Sequence, residues 1–386
     1  MIEAITVGLR SVCLLLAAVG CIYSLCAAAV VGRFRSDGKV PLMGYPGVTI
    51  LKPLAGTAPG LYEDLASFCN QDYHGPVQLL FGVQDSADAA VPVIERLIKE
   101  HPGRELELVV HADKGRQNPK VANLIGLEGC IRHEIVILAD ADIGVASDYL
   151  SSTVAALELP NVGAVTCLYR GVARVGVWSE LASMGIDYHF LPGVLVGLKL
   201  DLATPCFGST IALRRDVLSS IGGFRSFVDY IADDYAMGEA IRAAGMKVAI
   251  PSLILAHSCS EQSVGELLRH ELRWARTVRA VSPLGYAGSV VTHPLPFALL
   301  TAALGGFGAS DLMMIAGAFF CRLVLQRQVD HTLRVSSKRW WFGPVRDLLT
   351  FGVYVASYFV KVVSWRGQHY RVRRDGTLTA VGEPKA

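Results

Sequence analysis

Residues 135–142 read Ile135-Val136-Ile137-Leu138-Ala139-Asp140-Ala141-Asp142, an apolar run closed by two carboxylates one residue apart. The run is uncharged and β-branched, which predicts a buried strand. Two acids this close at a strand end repel each other unless a cation lies between them. A divalent metal carrying a diphosphate supplies that charge through hard oxygen ligands. The same spacing also arises in a loop where an aspartate caps the next helix, and Asp148 is placed for such a cap.

Outward from this strand the chain alternates between two periods. Short β-branched runs fall at 48–51, 77–83, 106–111, 134–139, 162–168, 209–213 and 247–250. Helix-like stretches lie between most of them, at 60–69, 88–101, 119–131, 148–158, 176–190, 214–221 and 234–245. Such alternation predicts an α/β domain with a mainly parallel sheet and helices on both faces. Ligands of such sheets bind beyond the carboxyl ends of the strands.

Polar residues cluster at several of those ends. Lys52 and Pro53 follow the first strand, where backbone groups can surround a ring. Phe81-Gly82-Val83-Gln84-Asp85-Ser86-Ala87-Asp88 ends the second, and Asp85 or Asp88 can accept hydrogen bonds from a base or ribose, or serve as a helix cap. Asn118-Pro119-Lys120 opens a helix, so Lys120 faces an anion through its own charge and through free N–H groups. Ile231-Ala232-Asp233-Asp234-Tyr235 precedes another helix. Neighbouring side chains diverge, so one aspartate is expected to cap that helix and the other to face a cleft. A carboxylate there can take the proton from an attacking hydroxyl. Arg269, Arg273 and Arg276 recur at helical spacing, with Leu267, Trp274 and Val278 making an apolar side. That pattern predicts a basic amphipathic helix at a membrane surface, where its cations also suit a diphosphate leaving group.

The chain has 386 residues, 52% hydrophobic and 18% charged. Charged residues make up about 25% of typical soluble domains, so this balance excludes a disordered chain and points away from a fully soluble one. The net charge of +2 creates no field that calls for nucleic acid. Nine scattered cysteines with no C-x-x-C pair form neither a disulfide framework nor a zinc pattern, which suits a reducing compartment.

Residues 11–32 carry no charge. At about 1.5 Å per residue they span roughly 33 Å, enough for a bilayer core and longer than the apolar part of a signal peptide. Arg33, Arg35 and Lys39 follow this run and only Arg10 precedes it, which places the bulk of the chain in the cytoplasm. A second apolar region, interrupted by Asp311, predicts a hairpin of membrane helices at 287–307 and 310–326, with Pro294 and Pro296 breaking its first helix. Asp311 then lies near the far surface. The basic loop after the hairpin (Arg322, Arg327, Arg334, Lys338, Arg339, Arg346) returns the chain to the cytoplasm. The run 348–360, followed by Lys361, is short for a span and predicts an interfacial helix, with a further crossing as the alternative. The expected organisation is therefore an anchor at 1–33, an α/β body at 34–262, an amphipathic helix at 263–283, a membrane hairpin at 284–327 and a basic C-terminal region at 328–386.

Taken in order, Leu51-Lys52-Pro53-Leu54, Val83-Gln84-Asp85-Ser86-Ala87-Asp88, Asn118-Pro119-Lys120, Asp140-Ala141-Asp142, Asp233-Asp234-Tyr235 and Arg273-Trp274 span nearly the whole chain. This series resembles the ceramide glucosyltransferase family of membrane glycosyltransferases. The tail, Ser364-Trp365-Arg366-Gly367 and Tyr370-Arg371-Val372, resembles that family's C-terminus. The phrases FGVQD, VTCLYRG, ADDY, HELRWARTVRA and GYAGS are similar to the bacterial hopanoid-biosynthesis branch, which adds N-acetylglucosamine from UDP-N-acetylglucosamine to bacteriohopanetetrol.

The resemblance implies a GT-A domain on the cytoplasmic face of the inner membrane. It implies an inverting enzyme that uses a UDP-sugar, Mg²⁺ or Mn²⁺, and a lipid hydroxyl from a hopanoid or a ceramide. Asp88 is then at the uridine end, Asp140 and Asp142 at the ribose and the metal-bound diphosphate, and Asp234 is the general base. Arg273 and Trp274 stand for the R-W of a Q-x-x-R-W element in which His270 replaces Gln. Three rivals remain. They are a ceramide glucosyltransferase using UDP-glucose, a processive polysaccharide synthase, and a non-catalytic membrane protein on a transferase fold.

Overall fold

The computed structural model describes residues 1–34, 42–112, 118–335, 339–360, 362–365, 368–372 and 377–380. Arg35, Lys39, Lys338, Lys361, Arg366, Gly367 and residues 381–386, on which parts of the charge and tail readings rest, lie outside them. The chain divides into two compact units. One comprises Met1–Arg35, Gly176–Thr204 and Glu261–Ser364, and the other comprises Ser36–Val175, Pro205–Ser260 and Trp365–Ala386.

The second unit is the expected α/β body. Its strands are β1 (Val48–Pro53), β2 (Val77–Val83), β3 (Glu105–Val110), β4 (Ile135–Leu138), β5 (Ile143–Gly144), β6 (Val162–Thr166), β7 (Leu168–Ala173), β8 (Ile211–Arg214), β9 (Lys247–Ala249) and β10 (Ile254–Cys259). The large sheet has the order β3-β2-β1-β4-β8-β6-β9. Its pairs β1–β2, β1–β4, β2–β3 and β6–β9 are parallel, and β8 runs antiparallel to both neighbours. Helices Leu61–Cys69, Val91–Glu100 and Pro119–Glu128 make the crossovers that parallel strands require. β1 and β4 are buried along their whole lengths, as strands covered on both faces should be. The core beneath them joins Leu51, Leu80, Leu124, Val136, Leu138, Leu213 and Ile241.

The run 162–168, expected as one strand, is two. The break falls at buried Cys167, so that β6 enters the large sheet while β7 pairs in parallel with β10. β10 also pairs antiparallel with β5, setting His257 opposite Ile143. This small sheet, β5-β10-β7, grips the chain just beyond Asp142.

The other unit is built from apolar helices. Three described helices are long and apolar enough to cross a membrane: Ile2–Arg33, Gly176–Lys199 and Ala309–Leu333. A fourth candidate is the pair Pro283–Thr292 and Pro294–Gly305, bent by 65° where prolines were expected to break it. Close packing needs small residues. A Cβ on Gly20 would come within 2.9 Å of Pro294 Cβ and Val291 O. Arg10 Nη2 donates to Asp311 Oδ1 at 2.8 Å, which places Asp311 beside the N-terminal flank of the first helix. The stretch 176–190, expected as a helix of the α/β body, continues through a π turn (Ile186–Phe190) to Lys199 and belongs to the apolar unit. Helix Gly343–Ala356 spans about 21 Å at 1.5 Å per residue, short of a bilayer core.

Candidate active site

Four separate stretches of the α/β unit converge at the ends of β4 and β8. Asn118 caps helix Pro119–Glu128, its Oδ1 accepting from the Lys120 and Val121 amides at 2.9 and 3.1 Å. The other end of the same amide donates to Tyr230 O at 2.8 Å and to Asp233 Oδ1 at 3.2 Å. Lys120 does face an anion, as its place at a helix start predicts, but the anion is internal. Its Nζ lies 2.7 Å from Asp140 Oδ1 and 3.5 Å from Asp233 Oδ2. Burial opposes the charge on Lys120, yet Asp140, Asp233 and Asp234 outweigh it and hold the ammonium well above the ordinary lysine range.

Gly208 joins the two carboxylate stretches. Its carbonyl accepts from the Asp140 amide at 3.1 Å, and its N–H donates to Asp234 Oδ2 at 2.8 Å. A Cβ there would meet Asp140 Oδ2 and Lys120 Nζ at 2.7 Å each. Asp234 Oδ1 accepts from the Tyr235 amide at 2.8 Å. Burial first, and Asp233 next, push the Asp234 carboxyl up to about 6, against the pull of Lys120. The expectation that one of the paired aspartates is the helix cap is corrected. The helix starts at Asp233 itself, with Ala232 at the cap position, so both acids sit in its first turn, where the helix dipole favours negative charge.

The two acids of the 135–142 stretch separate in role. Asp140 is committed to Lys120. Asp142, 46% exposed, has His257 Nε2 3.6 Å from its Oδ2. The Ser258 amide donates to Asp142 O at 2.8 Å, so β10 holds both partners. The His257 ring lies against Tyr169, with centroids 5.3 Å apart. A divalent ion suits this donor set, since one carboxylate and one imidazole leave coordination positions for phosphate oxygens and water. No group of three or more His, Cys, Asp or Glu able to hold a metal occurs among the described residues, so the protein share of such a site is small. His257 escaped the sequence reading. Its only signal was an isolated histidine inside the apolar run 254–259, and only the pairing of β5 with β10 gives it meaning.

Other candidates lie deeper or at the margin. Lys52 is wholly buried, its Nζ donating to Asp140 O at 2.8 Å and sitting 3.5 Å above the Phe68 ring. Burial pushes it down to about 7, against Asp64, Asp140 and Asp142. Pro53 is buried within β1 opposite Gly82. Both therefore support the floor rather than line an open face. Asp85 accepts from the Ala87 amide at 2.9 Å, a local turn. Asp88, part-exposed, accepts from the amides of Gly56 at 2.8 Å and Ala90 at 2.8 Å, tying the loop after β1 to the one after β2.

Arg273 and Trp274 belong to the apolar unit, on helix Val264–Val281. Trp274 meets the His270 ring edge-on at 4.4 Å, and His270 Nδ1 lies 2.6 Å from Glu261 Oε1. The expected basic face is partly consumed. Arg276 is buried, and Arg276 and Arg279 donate to Ser357 O at the C-terminal end of helix Gly343–Ala356. That is a C-cap role, and it takes Arg276 out of the set of cations aimed at a leaving group.

A family model described as glycosyl transferase family 21 matches residues 12–378. Among curated relatives, ceramide glucosyltransferase 1 of Caenorhabditis elegans is 24% identical over 89% of this chain and 76% of its own length. Ceramide glucosyltransferase 3 of the same organism is 24% identical over 94% of this chain and 82% of its own. Among solved structures, a mannosyltransferase from Pyrobaculum calidifontis in complex with GDP-Man and Mn²⁺ superposes with a TM-score of 0.53 at 20% identity, covering 93% of this chain and 99% of that one. The fold of the α/β unit is GT-A.

Proposed function

The chain belongs to glycosyl transferase family 21 and is a glycosyltransferase, and from that premise we propose that it moves a sugar from a UDP-sugar to a lipid hydroxyl with inversion at the anomeric carbon. The observation that carries this reading is the junction at Gly208, where a backbone-oriented carboxylate, Asp234, stands next to the Lys120–Asp140 pair.

In this mechanism Asp234 takes the proton of the acceptor hydroxyl. The lipid oxygen bonds to the anomeric carbon as the bond to UDP breaks, and UDP leaves with that electron pair. The Gly208 and Tyr235 amides fix the carboxylate, so little reorganisation is needed at the moment of transfer. Asp142 would hold a divalent ion, which would supply charge neutralisation for the leaving diphosphate. Asp88 is at the uridine end of the donor. Arg273 and Trp274 are part of the same proposal on the strength of the resemblance alone.

The apolar helices and the bias of basic residues support a multi-pass protein of the inner membrane with its GT-A unit in the cytoplasm. For the substrates, the branch-like phrases favour N-acetylglucosamine from UDP-N-acetylglucosamine onto bacteriohopanetetrol. A second reading, UDP-glucose onto ceramide, draws on the names of the relatives. Membranes containing the protein, given labelled UDP-glucose or UDP-N-acetylglucosamine with hopanoid or ceramide, decide between them by mass spectrometry of the lipid extract. A glycosylated hopanoid carrying N-acetylhexosamine supports the first reading. Hexosylceramide alone replaces it with the second, and no labelled lipid from any combination overturns both.

A further inference from the structure

Two arginines of helix Val264–Val281 converge on one oxygen in the apolar unit. Arg276 Nη1 and Arg279 Nη1 lie 3.4 and 2.7 Å from Ser357 O, so these nitrogens are no more than about 6 Å apart. Like charges this close repel unless an anion lies with them. The C-terminal dipole of helix Gly343–Ala356 offers only about half a negative charge there. Among the described residues no carboxylate pairs with either guanidinium. Burial, and Arg279 after it, push Arg276 below the ordinary arginine range. Arg276 is 9% exposed, and its Nε is buried without a hydrogen-bond partner. A guanidinium carries five N–H donors, and Ser357 O takes one from each. The pair therefore has charge and donors to spare. Arg279 is half-buried, 4.7 Å over the Tyr358 ring. Tyr286 donates to Ser357 Oγ at 2.9 Å, which ties helix Pro283–Gly288 to the same point. Exposed apolar side chains flank the pair in the chain: Val278 beside Arg279, Phe359 beside Tyr358, and Leu284 in the helix that follows. Leu284 and Phe359 are 87% and 77% exposed, a degree that suits lipid rather than water.

We propose that Arg276 and Arg279 form a binding site for the phosphate of an anionic phospholipid, with Arg279 making the contact and the buried Arg276 adding its charge. The planar fork of a guanidinium matches phosphate oxygens, and basic pockets beside membrane helices take lipid head groups. A phospholipid brings both the anion and the acyl chains that Leu284 and Phe359 call for, whereas a free phosphate brings only the first. The bound lipid pins to the membrane the helix that carries Arg273 and Trp274. This inference goes beyond the transferase reading and depends on no sugar, since it needs only a chain embedded in a bilayer.

The test uses the full chain in detergent and follows the anisotropy of a fluorescent phosphatidylglycerol, with unlabelled lipids and soluble anions as competitors. Phosphatidylglycerol should compete at least about tenfold better than phosphatidylcholine, and added salt should narrow the difference. Arg279→Gln should weaken phosphatidylglycerol about five- to tenfold. Arg269→Gln, which removes an exposed charge from the same helix, should change it less than about twofold. Inorganic phosphate and UDP at matched concentration should leave the lipid bound. In nanodiscs, a phosphatidylglycerol with a photoreactive head group should label the wild type within 276–288 or 354–360. That measurement needs no variant, so it decides the matter even where Arg279→Gln fails to fold. Equal competition by the two lipids overturns the proposal. Equal losses in the two variants overturn it as well, since they mean diffuse surface charge. Displacement by phosphate or UDP as effective as by phosphatidylglycerol makes a soluble anion the ligand and overturns the lipid. Labelling confined to other segments does the same.

Discussion

Lys120 and Asp140 close on each other at 2.7 Å, and this one contact divides the labour between the two acids of the Asp140-Ala141-Asp142 stretch. Asp140 becomes part of the frame, and in the proposed reading Asp142 is the acid that meets the ligand. Asp142→Ala should therefore remove the metal-dependent part of UDP affinity, read by calorimetry with and without EDTA, while leaving the melting temperature near wild type. Asp140→Ala should do the reverse first. It removes the nearest counter-charge of the Lys120 ammonium, which is only 13% exposed and keeps Asp233 at 3.5 Å, and should cost about 1–2 kcal/mol of stability. That figure is below the value for a fully buried pair because Asp140 keeps 36% exposure. Equal melting curves for the two variants would contradict this division.

Asp234 is raised to about 6 by burial and by Asp233, so its pKa falls inside the range where an enzyme can be assayed. A general base works only when ionised. The rate should thus be level above that value and fall about tenfold per pH unit below it, as the carboxylate protonates. Asp234→Asn should lose about 10²- to 10⁴-fold in turnover and keep UDP-sugar binding. A pH–rate profile flat down to pH 5 in the wild type, or near-normal turnover in the variant, would remove Asp234 from the base role.

Gly208 has room for no side chain, since a Cβ would meet Asp140 Oδ2 and Lys120 Nζ at 2.7 Å. Gly208→Ala must therefore push the ion pair aside or shift the peptide that orients Asp234. The expected cost is about 1–3 kcal/mol in stability, together with a drop in kcat that exceeds any change in the donor KM. An alanine variant with normal kcat would show that the peptide does not position the base.

In the apolar unit Arg322 is buried and donates to both oxygens of Asp347, at 3.1 and 3.0 Å, and to Tyr188 O at 3.1 Å. Asp347→Ala leaves that guanidinium without its counter-charge. Thermal melting in detergent should show a loss of about 3–5 kcal/mol, partly recovered in the double variant Arg322→Met/Asp347→Leu. A single variant that melts with the wild type would mean the pair carries no structural weight.

The sequence disclosed the α/β alternation because period and β-branching are local properties. It also disclosed the strand end at Asp140, the helix opening at Asn118 and the proline break at Pro294. What it hid depends on pairing at a distance. β5 has two residues, Ile143 and Gly144, too few to carry a pattern, and without β5 and its partner β10 nothing connects His257 to Asp142. The stretch 176–190 reads as a helix of the α/β body because Glu180, Asp187 and His189 interrupt its apolar run. In the structure His189 meets Asp347 and Glu180 meets Arg339, so charges that look solvent-facing in the sequence are satisfied between helices. The paired aspartates 233 and 234 misled in the same way. Capping is the commonest use of such residues, but here Asn118 and Gly208, distant in sequence, claim them.

The most direct test of the account is the anomeric configuration of the lipid product. Purified protein in nanodiscs, supplied with an α-linked UDP-sugar and the hydroxylated lipid, is followed by NMR of the anomeric proton on the extracted glycolipid. A β-glycoside is the predicted result, since one displacement assisted by Asp234 inverts the centre once. An α-glycoside would contradict the single-displacement mechanism and with it the part assigned to Asp234.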